Sequence, residues 1–134
     1  MGRRKAREDC FKCIYQLEFM DKPYDVEKLL DYCYEENESL DDEKEYITTI
    51  LNSVINNMEK IDEIILSNLK NWSISRIAKI DLAILRLAIC ELKFAESLNT
   101  PFKVVINEAI ELAKNYGNND SKSFINGLLA KVIN

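Results

Sequence analysis

The sequence predicts an all-α fold, a compact bundle of six or seven helices. Three observations lead there. Glycine and proline together make up 5 of 134 residues, far too little turn punctuation for a sandwich of short strands. The chain is 47% hydrophobic and 31% charged, a balance that supports a packed core and excludes a disordered chain or a fibre. Apolar residues recur at spacings of three and four along nearly its whole length, the period of a helix with one buried face. No composition shift, repeat or linker breaks the pattern, so residues 1–134 read as a single domain.

The elements follow in order. From about Arg3 to Met20, Cys10, Cys13, Ile14 and Leu17 form a core stripe, and Pro23 ends the run. Asp25 is placed to cap a second helix, Val26 to about Glu36, with Leu29, Leu30 and Cys33 inward. Residues 37–40 read as a loop. Asp41 or Asp42 then opens one long helix to about Leu69, with acids in its first turn that suit the helix dipole. Residues 71–73 interrupt, and Ser73 or Ser75 could cap a short turn through Ile77 and Ala78. Residues 82–92 are apolar almost all round, which marks a central buried helix. Thr100 as N-cap and Pro101 at the first helical position start the next helix, and Gly117 stops it. Asp120 is placed to cap a last helix, about Ser121 to Val132. Gly127, in its middle, is disfavoured by about 1 kcal/mol relative to alanine and predicts close helix packing at that point.

Composition narrows the chemistry. The chain has no histidine, so Ser-His-Asp and Cys-His nucleophile systems and imidazole metal ligands are excluded. It shows no Gly-rich phosphate loop, paired-carboxylate motif or nucleophile elbow. No apolar run is long enough to span a membrane. The basic start, MGRRKARED, lacks the apolar stretch and cleavage site of a secretory signal. These features predict a cytoplasmic protein and offer no recognisable cofactor site. In that compartment the four cysteines are thiols. Cys10 and Cys13 form a CxxC, but Cys33 and Cys90 are singly placed and no βαβ context surrounds it, so the cysteines read as small apolar residues on a helix seam rather than zinc ligands or a redox pair.

Charge is unevenly spread. The net charge is −5, yet residues 1–12 hold five basic and two acidic side chains, whereas residues 18–45 hold twelve acids and three lysines. Such asymmetry implies two surfaces with different partners. Arg3, Arg7, Phe11 and Tyr15 fall four residues apart and share one helix face. Cations that neutralise phosphate, followed by rings that stack on bases, are what a single-stranded RNA site requires. Cations at a helix start also oppose the macrodipole, at about 0.3–1 kcal/mol each when ordered. Phe11 could equally be core. Arg86, inside the apolar helix, must be paired if buried, with Glu108 or Glu111 as candidate partners, or else reach a phosphate. Asp81 is a helix cap or a partner contact. Phe124, beside Lys122, is core or a stacking ring.

Three blocks carry a family resemblance: RRKARED with Tyr15 about two turns on; RIAKIDLAILRLAICEL at 76–92; and TPFKVVINEAIELAKNYGNNDSKSFINGLL at 100–129. Over essentially its full length the chain resembles the NusB family of transcription antitermination factors. The resemblance implies an all-helical fold without catalysis. It implies binding to the boxA element of ribosomal RNA transcripts as a heterodimer with NusE, a small-subunit ribosomal protein, and assembly of an antitermination complex on RNA polymerase. Carried over residue by residue, Arg3, Arg4, Lys5 and Arg7 match the arginine-rich RNA-binding motif. Lys5 stands where arginine is common, which keeps the charge but loses bidentate phosphate geometry. Tyr116, Lys122, Phe124 and Arg86 match positions expected at the RNA surface, and Ser123 stands where some members have lysine. Tyr15, Phe19 and Asp81 match the side that meets NusE, and apolar surface there could also self-associate into a homodimer. Two other readings use the same residues: a helical protein–protein adaptor that never touches RNA, and the RNA-binding domain of a ribosomal RNA cytosine methyltransferase.

Overall fold

In the computed structural model, which describes residues 2–36 and 43–133, seven α-helices and no strand are found among the described residues. They are α1 (Gly2–Leu17), α2 (Val26–Glu36), α3 (Lys44–Asn56), α4 (Met58–Ser67), α5 (Lys79–Ile89), α6 (Phe102–Tyr116) and α7 (Ser121–Ile133). A 3₁₀ turn at Ile74–Arg76 precedes α5. A π-helical turn, Cys90–Phe94, extends it. The expected loop at 37–40 and the helix opening at Asp41 or Asp42 lie outside the described residues.

The apolar segment becomes the centre of the bundle. Every residue from Asp81 to Glu91 is buried, and α5 packs against α1, α3, α4, α6 and α7. Partners all around one rod explain why that helix carries almost no polar stripe. Helix α1 lies against α5 and α3, and α6 pairs with α7. Cys10, Cys13, Cys33 and Cys90 are all buried in this core, and none is in a disulfide. Burial pushes the Cys10 thiol well up and Cys90 up to about 12, so both are packing residues in the protonated form. No helix among the described residues is long and apolar enough to cross a membrane.

Four expectations are corrected. The single helix expected to run to Leu69 is two, broken at Asn57, whose backbone leaves the helical region at φ −119° and ψ 17°. The Asn57 side-chain amide donates to the Ser53 carbonyl at 2.8 Å, alongside its own backbone N–H at 3.0 Å. A short amide side chain competing for helix carbonyls favours such a break. The Asp120 side chain does not supply the bonds at the start of α7. There the Asn118 N–H donates to Ser121 Oγ at 3.0 Å and the Asp120 N–H donates to Asn118 Oδ1 at 2.8 Å. Gly127 does not mark close packing, for a Cβ added there would meet nothing within 4 Å. Helix α6 begins one residue later than expected, with Pro101 at the cap position and no side-chain cap bond.

Gly117 is the glycine that packing requires. It ends α6 with extended backbone, φ −89° and ψ −174°. A Cβ there would lie 2.5 Å from Ser121 Oγ and 2.8 Å from the Ala113 carbonyl oxygen. Gly117→Ala is therefore expected to lower unfolding stability by about 1–3 kcal/mol, the range for overpacking a tight site, measured by urea denaturation.

Candidate nucleic-acid interface

The stripe Arg3, Arg7, Phe11 and Tyr15 does share one face of α1, but most of that face points inward. Arg7 is buried at 4% exposure and Phe11 at 2%. The Arg7 guanidinium donates to both Glu91 carboxylate oxygens at 2.9 Å and to Glu108 at 3.3 Å. Tyr46 donates its hydroxyl to Glu91 at 3.0 Å, and the Arg7 guanidinium stands 5.5 Å from the Tyr46 ring centre. Burial opposes the charge on Arg7, but the Glu91 hydrogen bonds and the Tyr46, Glu91 and Glu108 electrostatics outweigh it and hold the guanidinium protonated. Burial pushes the Tyr46 hydroxyl up as well, with the Glu91 charge adding to it. The π turn carries Glu91 into this cluster.

Arg86 is likewise structural, and its partners are neither Glu108 nor Glu111. It is 4% exposed. It grips Asp62 of α4 with two bonds, at 2.9 and 2.8 Å, and also donates to Glu18 just beyond α1. Two buried arginines thus fasten α1, one near its start and one just past its end.

The cations left outside are different ones. Arg4 projects with 71% of its side chain exposed, yet forms a two-bond pair with Glu108 at 3.1 and 2.7 Å. That pair raises the Arg4 pKa and, through the Arg4 hydrogen bond first, lowers the Glu108 pKa. Lys5 is exposed and donates to Asp9 at 2.9 Å. Arg3 is half-exposed, paired with Glu43 at 2.6 Å, its guanidinium 4.4 Å from the Tyr46 ring centre. Lys12, which sequence reasoning missed, is exposed and lies 5.9 Å from the ring of Tyr116. Tyr116 in turn packs on Phe11 at 5.0 Å. A signal for Lys12 existed, since it falls two turns after Arg4 on the same face.

Farther along, Lys122 is exposed and Phe124 half-buried on α7. Phe124 stacks on Trp72 at 6.0 Å. On another side, Tyr15 and Phe19 make an edge contact at 5.2 Å, and Lys79 Nζ sits 5.7 Å from the Phe19 ring. Phe19 is 58% exposed. Asp81 is neither cap nor surface contact. It is the third residue of α5, buried, and its Oδ1 has no hydrogen-bond partner among the described residues.

Fold and surface define a helical binding module: ion-pair locks within, and cations beside rings without. The chain belongs to the NusB family, whose family model, described as NusB family, matches residues 4–134. Its relatives include the transcription antitermination protein NusB of Acetivibrio thermocellus, 46% identical over 133 residues, 99% of this chain and 89% of the relative. The protein of that name from Agathobacter rectalis is 42% identical over 131 residues, 98% of each chain. The solved structure of T. maritima NusB matches with a TM-score of 0.86 at 36% identity, covering 97% of this chain and 89% of that one. A chain in a crystal structure of the antitermination factors NusB and NusE in complex with dsRNA matches with a TM-score of 0.84 at 26% identity, covering 98% and 95%.

Two outcomes are expected. Arg7→Met leaves Glu91 buried without its cation and should lower stability by about 3–5 kcal/mol, while Arg4→Ala, which removes a solvent-exposed partner and leaves Glu108 paired with Arg7, should cost much less, both read by chemical denaturation. Glu108, with its pKa lowered in the folded state, stabilises fully above the unfolded carboxylate value and loses that contribution as pH falls through the folded value. The stability gap between the parent chain and Glu108→Gln should therefore be full at neutral pH and shrink progressively as pH falls below the unfolded carboxylate value of about 4.3, measured by thermal unfolding across pH.

Proposed function

We propose that this protein is a transcription antitermination factor that binds boxA RNA of ribosomal RNA operons as a heterodimer with NusE. In this reading the whole of residues 1–134 acts as one RNA-binding domain in the cytoplasm, and the pair helps assemble the antitermination complex on RNA polymerase. The observation that carries the proposal is the near full-length match to a chain from the NusB–NusE–dsRNA crystal structure. The surface chemistry supports it. Arg4, Lys5 and Lys12 are exposed cations on α1, and Tyr116, Lys122 and Phe124 are at least partly exposed on α6 and α7. Arg3 joins them at its edge. Arg7 and Arg86 serve the site by holding α1 in place rather than by touching phosphate. Tyr15 and Phe19 form the face for NusE, Asp81 being buried in α5, and the same rings are what a homodimer would bury.

Every arm cation already has a carboxylate neighbour, and the body is acidic. RNA must displace those carboxylates, so the chain alone binds weakly. A basic partner extends the positive surface along one RNA path. The test is fluorescence anisotropy of labelled boxA RNA titrated with the chain, with and without NusE, at several salt concentrations. NusE should tighten binding more than tenfold, about 1.4 kcal/mol, and scrambled RNA should bind poorly. Arg4→Gln and Lys5→Gln should weaken binding and lower the salt slope by about 0.7 for each phosphate that is no longer neutralised. Equal affinity for both RNAs in both conditions would sink the proposal and favour the adaptor reading.

A further inference from the structure

Three observations meet at one corner of the surface. The first is Trp72, the only tryptophan in the chain, which is 42% exposed and stacks on Phe124 with 26° between the ring planes. The Arg76 guanidinium stands 5.3 Å from the Trp72 ring centre. The second is Asn71, just before the tryptophan, with a φ of +58°, in the left-handed region that L-residues occupy at a cost. The backbone is thus bent sharply at the point where an indole is left in water.

The third observation is Gly127. It lies three residues after Phe124 on α7, on the neighbouring position of the same face. It is exposed, and an added Cβ would meet nothing within 4 Å. Glycine weakens a helix interior more than any residue except proline. Nothing inside the described chain needs the missing side chain, so the peptide surface beside Phe124 is bare toward the outside.

We propose that Trp72, Phe124 and Gly127 form a stacking site for an unpaired base of single-stranded RNA, with Arg76 beside it to take the phosphate. The proposal rests on the RNA-binding reading of Phe124 and extends it to Trp72, Arg76 and Gly127. Near-parallel rings accept a flat π system, a guanidinium accepts an anion, and a bare peptide face permits close approach. A nucleotide has both the flat ring and the anion. Neither the Trp72–Phe124 stack nor the Arg76–Trp72 approach involves a carboxylate that would repel it.

The single tryptophan makes the site directly readable. The full chain with NusE is titrated with boxA RNA, and with the same RNA made abasic at one position at a time. Trp72 emission and anisotropy of the labelled RNA are followed together. Emission should be quenched in step with binding, and one abasic position should abolish the quenching. Trp72→Ala and Phe124→Ala should each weaken binding about tenfold. Gly127→Ala should raise Tm by about 3 °C and yet weaken binding at least fivefold, an opposition that a purely structural residue would not produce. If RNA binds normally while Trp72 emission is unchanged and Gly127→Ala binds like the parent chain, the stacking site is wrong and the RNA-binding reading stands. Quenching by NusE alone, with abasic RNAs bound as tightly as intact RNA, makes the rings a protein contact and overturns the proposal. Absence of RNA binding in every condition overturns both readings.

Discussion

The structure depends on a buried guanidinium. Arg7 sits under the bundle surface and is tolerable there only because Glu91 and Glu108 complete its hydrogen bonds and Tyr46 completes those of Glu91. A buried charge with a missing partner is costly, so the cluster holds together as a unit or not at all. It draws on α1, α3, α6 and the π turn after α5. It therefore fixes the rotation of α1 about its own axis. Once Arg7 points inward, Arg4, Lys5 and Lys12 must point elsewhere. The surface is a consequence of the lock.

Arg86 repeats the device at the other end of α1, where it joins Asp62 and Glu18. With both ends held, α1 displays its cations from a rigid element rather than a loose tail, which lowers the entropy cost of engaging a polymer. The opposing feature is that Glu43 and Glu108 already occupy Arg3 and Arg4. Both pairs are open to water on the arginine side and largely covered on the carboxylate side, and such partly solvated pairs contribute modestly to stability.

Much of the fold was legible. The all-round apolar run from Leu82 could only be a central helix, and Pro101 and Gly117 marked the two ends of α6 to within a residue, although Gly117 is required by the close approach of Ser121 rather than by its backbone angles. The break at Asn57 was hidden because the apolar rhythm continues across it, and a side-chain amide competing for one carbonyl leaves no mark on periodicity. The site was less legible. Arg3, Arg7, Phe11 and Tyr15 were correctly placed on one face, yet a face holding both charges and rings does not declare whether it meets water or core. Asp81 was read as a cap or a partner contact because it stands near a helix start, but its burial depends on what packs over it. Trp72 lay in a stretch read only as an interruption.

The sequence by itself determined the helical class, the rod at the centre, the uneven charge and the absence of imidazole chemistry. These follow from composition and from spacings within about ten residues, which the chain carries whether or not it is folded. Tertiary structure alone decided which arginines are locks and which are exposed, where Glu91 and Asp62 sit, and that Gly127 opens outward beside Phe124. Those outcomes depend on partners tens of residues away: Arg7 with Glu91, Arg86 with Asp62, Trp72 with Phe124. The energy of a buried charge is set by such distant partners and by the exclusion of water, and neither exists until the helices have packed.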